Sequence, residues 1–376
     1  MKYIVIGILI AVILCATLVP TVFAAQQKVT RPTVKILSIG HSYAWNSVEY
    51  LRNIAESQGV DLIVGVVYRG NCSLERHLIN FEGNKTYGDQ SGNPGFYLKY
   101  DSKNPTGTQF VDSYSIAKAV KDEKWDYIMF QECLDHSGYF DVINKSLPKL
   151  KEGVSKLATN KNVKYMWHDI WALEKTEYMP TDKVELKNYN FDQATMYNAI
   201  KDATKKVMES DVGLSGVVPT GEAFALARKS GKYDPTVPGG ISLNADEISH
   251  ANVYGKYLAG LVWYMSFTGC AIDKATLAYP EEITKEQAYE LVDFATEAVE
   301  GTGKTLGSVN DVFADNNEGG DSNNTSSQPI YYNPDDADTN EPAKFNPLYL
   351  IPVGAAVVVA GGAVAIALNK KKKNSK

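Results

Sequence analysis

"VKILSIGHSYAWNSVEYLRNIAESQG", Val34 to Gly59, sets the frame for the rest of the chain. Its opening, Val34–Ile39, is short and almost wholly apolar, which predicts a buried strand. Val48, Leu51, Ile54 and Ala55 then recur at the spacing of one helix face. Asn46 stands where an N-cap is needed, Glu49 completes a capping box, and Gly59 supplies the usual stop. Between strand and helix lies Gly40-His41-Ser42-Tyr43. With the cap assigned to Asn46, the Ser42 hydroxyl is left over at the turn.

The alternation continues along the chain. Val60–Gly70 reads as a second strand, Asp126–Gln131 as a third, Val163–Trp171 as a fourth and Gly216–Phe224 as a fifth with its exit. Helices are predicted at Ser115–Lys124, Lys145–Ala158, Phe191–Ser210, Tyr254–Phe267 and Lys285–Val299. The polar run from Asn80 to Asp112 reads as an excursion over the surface that could hold a hairpin. Near-continuous apolar strands alternating with helices predict a parallel sheet covered on both faces. The expected fold class is therefore α/β: a flavodoxin-like three-layer α/β/α sandwich with a five-stranded parallel sheet in the order 2-1-3-4-5.

Both ends of the chain read differently from this body. Residues 1–24, with Lys2, an apolar run and Val22 and Ala24 at small-residue positions, predict a signal peptide cleaved after Ala24. Pro347 to Leu368 is a charge-free run of about the 20 residues that cross a bilayer, and Lys370–Lys373 follow as a cytoplasmic marker. The expected order is then signal peptide 1–24, folded domain 28–310, disordered stalk 311–346, transmembrane helix 347–368 and basic cytoplasmic tail 369–376. This places the body outside a cell membrane, tethered by a single span.

Composition excludes several classes. A net charge of −6 argues against nucleic acid. After Cys15 leaves with the signal peptide, Cys72, Cys133 and Cys270 remain, an odd number that does not demand a disulfide framework, although a Cys72–Cys133 pair stays open. No CxxC or His/Cys cluster at metal spacing is present, so neither zinc nor another cofactor is expected. "GTGKT", Gly301–Thr305, is not a phosphate loop: Ala298 occupies the first-glycine position and a helix precedes it.

In sheets of this kind, function gathers beyond the carboxyl ends of the strands. His41 and Ser42 follow the first strand. Gly70, Asn71, Cys72 and Ser73 follow the second, and Gln131 and Glu132 the third. Asp246, Glu247 and His250 stand in "LNADEISHANVYGKYLAG", just before the Tyr254–Phe267 helix. A hydroxyl, a glycine loop with free N–H groups, a side-chain amide and an imidazole beside carboxylates are what acyl transfer needs. Ser42 would attack, His250 would take and return its proton, and a carboxylate would hold the imidazole's tautomer. The backbone N–H groups of Ser42 and Gly70 and the Gln131 amide would form the oxyanion hole.

These blocks resemble the SGNH (GDSL-type) hydrolases. The Gly40–Tyr43 turn is similar to their first block, Gly70 to the second-block glycine, Gln131 to the third-block amide and "SHANVYGKYLAG" to the fifth. "GNCSLERH" and "WDYIMFQE" further resemble a branch catalogued as a domain of unknown function. Three departures stand out. His41 replaces the usual aspartate before the serine, and Gln131 replaces asparagine. Asp246 and Glu247 also compete for the triad acid: spacing favours Glu247, while residue type and an extra loop residue favour Asp246, which is preferred.

The resemblance implies a membrane-anchored serine esterase that removes an O-acetyl or other small acyl group from a small molecule or polysaccharide. A non-catalytic glycan-binding surface protein is the alternative, and a glycosidase pairing Glu132 with Asp246 ranks last. Among the other histidines, His41 is expected at the pocket rim or as its cover, and His77 in a solvated charged turn. His136 and His168 are expected near the pocket, with His168 also readable as a hydrogen-bonded core residue. Part of the 23 tyrosines could form a platform for sugar rings.

Overall fold

The computed structural model describes residues 31–85, 95–111, 114–175, 187–245 and 248–314. The expected signal peptide, transmembrane helix and tail, and all but the first four residues of the stalk, lie outside them. Among the described residues, no helix is long and apolar enough to cross a membrane.

Seven strands form one sheet in the order β4-β3-β2-β1-β5-β6-β7. They are β1 Thr33–Gly40, β2 Asp61–Arg69, β3 Gly95–Asp101, β4 Asn104–Val111, β5 Tyr127–Phe130, β6 Lys164–Asp169 and β7 Gly216–Pro219. The pairs β1–β2, β1–β5, β5–β6 and β6–β7 are all parallel. The five predicted strands thus lie in the predicted order, but the sheet is larger and mixed. The polar excursion contributes the antiparallel strands β3 and β4, which extend the β2 edge. Their glycine- and asparagine-rich flanks obscured a strand pattern in which Tyr97, Leu98 and Tyr100 are buried beside half-exposed Lys99.

Ten helices are described: α1 Ser42–Val48, α2 Leu51–Ser57, α3 Leu74–Glu82, α4 Ile116–Asp122, α5 Phe140–Leu157, α6 Gln193–Glu209, α7 Thr220–Lys229, α8 Val253–Thr268, α9 Lys285–Glu300 and α10 Val309–Val312. One core packs α1, α2, α7, α8 and α9 against the face of β1 and β2 that carries Ile36, Val64 and Val66. The other packs α3, α4 and α5 against the face carrying Leu37, Ile39 and Val67. Helix α8 is apolar on nearly every side, and Tyr257 to Thr268 are all buried, as befits a central helix. It contacts α1, α2, α7 and α9 as well as the sheet. Asn252 caps it, accepting from the N–H groups of Tyr254 and Gly255, and Gly269 in the left-handed region ends it.

The first helix departs from its sequence reading. It starts directly at Ser42, and the helix is interrupted by a turn at Glu49-Tyr50 before α2 begins at Leu51. His41 is the N-cap, its ring accepting from the Tyr43 N–H. Asn46 lies buried inside α1 rather than capping it, because its side chain has a longer-range partner in the loop that carries His250.

Candidate active site

The carboxyl ends of β1, β2, β5 and β6 lie side by side, since Gly40 pairs with Tyr68 and Phe130 with Ile39 and Trp167. Three of the predicted site residues leave the sheet here or just beyond. Ser42 is the first residue of α1, is 7% exposed, and its hydroxyl makes no hydrogen bond among the described residues. Gly70 follows β2 directly, and Asn71 after it adopts a positive φ of 40°. Asn71 ties this loop to the one after β5, since its side chain accepts from the Leu134 N–H at 3.1 Å and donates to Asp135 at 3.4 Å.

Gln131 follows β5 and is fully buried. Its side chain lies directly over Gly40: a Cβ there would fall 2.4 Å from Gln131 Cδ. Gly40 is thus needed for close approach, since real Cβ contacts are never this short. Gln131 Oε1 meets His168 Nδ1 at 3.2 Å. Its Nε2 is buried and has no hydrogen-bond partner among the described residues, an arrangement that native interiors seldom tolerate without a role.

Three buried histidines surround this point. His41 places Nε2 2.9 Å from the Glu132 carbonyl, so Nε2 carries the proton, and Nδ1 accepts from the Tyr43 N–H at 3.5 Å. Burial, with His250 nearby, lowers its pKa to about 4. His41 is therefore a neutral, fully buried capping and packing residue, not a rim residue. His77 was expected in a solvated turn but is buried within α3, hydrogen-bonded to the Gly40 backbone, and burial lowers its pKa to about 3. The charged neighbours Glu75 and Arg76 suggested a surface turn, whereas Ser73 caps a helix whose inner face includes His77. His168, on β6, is likewise buried, with a pKa lowered to about 3 by desolvation.

His250 stands apart from these three on the 242–252 loop. It is half-buried, with its ring edge-on to Tyr43 at 6.4 Å between centroids. The loop is fastened from several directions. Asn46 Oδ1 accepts from the Ala251 N–H at 3.0 Å, joining the loop to the helix that starts at Ser42. Asn244 donates to the Ile248 and Ser249 carbonyls, Trp171 also donates to Ser249, and Asn252 donates to the Ser242 carbonyl. Buried Glu174 accepts from Ser242 and from the Leu243 N–H, while Arg228 bonds Asn244 and the Ala172 carbonyl. Ile248 takes a φ of 63°, a strained conformation for a β-branched residue. Asp246 and Glu247, the two candidates for the triad acid, lie outside the described residues.

Sequence reasoning missed the supporting roles of Asn46, Glu174, Arg228 and Asn252. Only Asn252 had a local signal, as the polar residue directly before an apolar helical run. The others act across distances in sequence that no window spans.

Cys72, Cys133 and Cys270 are all free and buried, so the Cys72–Cys133 pair does not form. Glu132, Cys133 and His136 bring three donors within 4.8 Å of one another, a set whose chemistry would suit zinc. However, Glu132 Oε1 already accepts from the N–H groups of Leu74 and Cys133. Without a metal, burial raises the pKa of both the Glu132 carboxyl and the Cys133 thiol, so a metal would have to displace their protons to bind. The same two backbone bonds make Glu132 a loop anchor, which argues against the glycosidase role.

The chain is thus a three-layer α/β protein with a candidate site at the carboxyl edge of its parallel strands. It belongs to the family described as a domain of unknown function, DUF4886, whose model matches residues 35–297. This is the kind of branch that the sequence blocks resembled. No curated protein matches the chain. A DUF4886 family protein from Bacteroides uniformis, known from its crystal structure, is 29% identical with a TM-score of 0.62, covering 74% of this chain and 99% of its own. A protein from Slackia heliotrinireducens, described as a candidate SGNH hydrolase, is 18% identical with a TM-score of 0.39, covering 62% of this chain and 97% of its own. An acetylxylan esterase from Geobacillus stearothermophilus is 12% identical with a TM-score of 0.32, covering 61% and 92%.

Proposed function

We propose that the chain is a serine ester hydrolase that removes an O-acetyl or other small acyl group from carbohydrate, held outside a cell membrane by its C-terminal segment. The observation that carries this reading is the buried Gln131 Nε2, without a hydrogen-bond partner among the described residues, on a side chain that lies over Gly40, two residues before Ser42. An amide donor kept without a partner suits a negative charge that exists only during the reaction.

In this mechanism Ser42 Oγ attacks the acyl carbon as His250 accepts its proton. The oxyanion is held by Gln131 Nε2 and the backbone N–H groups of Ser42 and Gly70. Collapse breaks the bond to the sugar oxygen, which leaves as the alcohol with the proton from His250. Water then repeats the sequence on the acyl-enzyme, releasing the carboxylic acid and restoring Ser42. Asp246, or Glu247, holds the imidazole in the tautomer that can accept the serine proton.

Carbohydrate is favoured by half-buried aromatic rings near the helix that starts at Ser42. Trp45 lies edge-on to Phe96 at 5.3 Å and to Tyr68 at 6.4 Å, and Tyr68 stacks on Phe96 at 4.3 Å. Such rings offer apolar faces to a sugar. The membrane tether and outside location rest on the sequence of the two termini.

The test uses the purified full-length chain with p-nitrophenyl acetate and acetylated xylan, beside Ser42→Ala. Activity should fall by roughly 10⁴-fold or more, as when a nucleophile is removed. Activity unchanged by Ser42→Ala would end the nucleophile assignment. No activity in either protein, with glycan binding kept in both, would favour the non-catalytic alternative.

A further inference from the structure

A line of hydrogen bonds runs from the central helix α8 to the end of β5. Trp263 Nε1 lies 3.4 Å from His168 Nε2, Thr220 Oγ1 lies 3.0 Å from the same nitrogen, and His168 Nδ1 lies 3.2 Å from Gln131 Oε1. The chemistry of these groups gives the line a direction. An indole N–H can only donate, so His168 Nε2 must accept. The hydroxyl of Thr220 can donate to that nitrogen too. Desolvation keeps the ring neutral, so its one proton sits on Nδ1 and is donated to Gln131 Oε1. A side-chain amide whose oxygen is fixed this way has its NH₂ fixed on the opposite side, where no partner among the described residues meets it. Contact with Gly40 restricts the side chain from moving aside.

We propose that His168, with its tautomer dictated by Trp263, is a positioning residue that locks the Gln131 amide with its NH₂ turned toward the developing oxyanion. The proposal rests on the esterase reading for its catalytic consequence, but the hydrogen-bond polarity is a property of the protein alone. The opposite tautomer would set N–H against the Trp263 N–H. It would also require the amide to rotate, presenting a carbonyl oxygen where negative charge develops. One proton on one ring thus decides whether Gln131 stabilises or repels the oxyanion. The helix that begins just after His250 also carries Trp263, so a single element supports both the base and the polarity of the oxyanion donor.

Two measurements test this. Long-range ¹H–¹⁵N correlation spectra of the imidazoles should show His168 neutral and protonated on Nδ1 between about pH 5.5 and 8, as its burial implies. A ring protonated on Nε2, or charged in this range, overturns the proposal whether or not any ester is cleaved. The second is a double-mutant cycle on kcat. His168→Leu should lower kcat by about 10- to 100-fold with KM within about threefold, as for loss of one oxyanion donor. In a Gln131→Ala background, the same change should cost less than about twofold, because His168 acts through Gln131. Equal losses in both backgrounds would mean a merely structural role and overturn the proposal. Trp263→Phe keeps the packing and removes only the donor. It should lower kcat several-fold and add the Nε2–H tautomer to the spectra, and an unchanged tautomer would overturn the role given to Trp263. Failure of the esterase reading is recognised separately, by wild-type protein that cleaves no ester while the spectra still report the His168 tautomer.

Discussion

Gln131 sits at the end of a strand, sealed beneath His168 and against Gly40, while His250 sits half-buried on a loop held largely through backbone groups. On the strand side, position follows from the fold: parallel register brings Gly40, Tyr68 and Phe130 to one edge, and buried side chains fill the space above them. On the loop side, the sheet supplies only the neighbourhood. Asn46, Asn244, Asn252 and the Glu174–Arg228 pair hold the peptide groups one by one. The strand side should therefore be sensitive to volume and to buried protonation. The loop side should be sensitive to loss of single polar partners, while its chemical residue can change without unfolding the protein.

The largest effect is expected on the loop side. His250→Ala should lower kcat/KM by roughly 10³-fold or more, with little change in Tm because the ring is half-exposed. The same assay separates the two acids: Asp246→Asn should cost about 10²- to 10⁴-fold by disturbing the tautomer, and Glu247→Gln only a few-fold. The reverse order would assign the acid to Glu247. Equal, small effects would leave a Ser–His dyad.

Arg228→Met tests whether the loop depends on its buried anchor. The Arg228 and Glu174 side chains are 10% and 3% exposed, and 3.9 Å separates guanidinium from carboxylate. Burial lowers the Arg228 pKa, while Glu174 opposes this. Removing the cation leaves a buried carboxylate without its counter-charge, a change that typically costs about 3–5 kcal/mol. Urea denaturation should show that loss. A loss under about 1 kcal/mol would mean that the backbone bonds of Glu174 suffice to hold it.

The same contrast explains what could be read from the sequence. Apolar runs and helix periodicity are local, so the five parallel strands and their order were recoverable, and with them the edge where Ser42, Gly70 and Gln131 gather. The β3–β4 hairpin was obscured because glycine, asparagine and serine around it carry turn signals as strong as its strand pattern. His77 misled because charged neighbours describe the outer face of a helix and say nothing of its inner one. Asn46 looked like a cap because residue type and spacing fit, yet its partner is the Ala251 N–H, 205 residues away. Capping is a local pattern, whereas holding a distant loop is a tertiary one, and the tertiary bond prevails.

Gly40→Ala sharpens the strand side. The added methyl would lie 2.4 Å from Gln131 Cδ and must displace it. Overpacking of this kind costs about 1–3 kcal/mol of stability, and kcat should fall by about 10- to 100-fold as the oxyanion donor moves. Thermal denaturation and steady-state kinetics on one preparation check both. A stable variant with unchanged kcat would show that Gln131 can shift without consequence, and would remove it from the oxyanion hole.

The smallest effect comes from buried protonation. In the unfolded chain His41, His77 and His168 titrate near about 6.5, whereas burial lowers them to about 4, 3 and 3 in the folded protein. Between these values the unfolded chain binds protons that the folded one refuses. Their contribution is complete above about pH 6.5 and is lost as pH falls toward about 4 for His41 and about 3 for His77 and His168, at up to about 1.4 kcal/mol per pH unit for each histidine. Asp169 works in the opposite sense. Burial and nearby Glu222 raise its pKa to about 7, so the folded protein takes up a proton there as pH falls from 7. Burial raises Glu132 as well, so the net loss is smaller than the histidines alone would give. A difference measurement isolates one of them. His77→Gln keeps a donor for the Gly40 carbonyl but cannot titrate. Between pH 6 and 4.5, urea denaturation should show its stability falling less steeply than that of the wild type, by about 1.4 kcal/mol per pH unit. Parallel slopes would mean that His77 takes up its proton in the folded state, and that the strand side is wetter than its packing indicates.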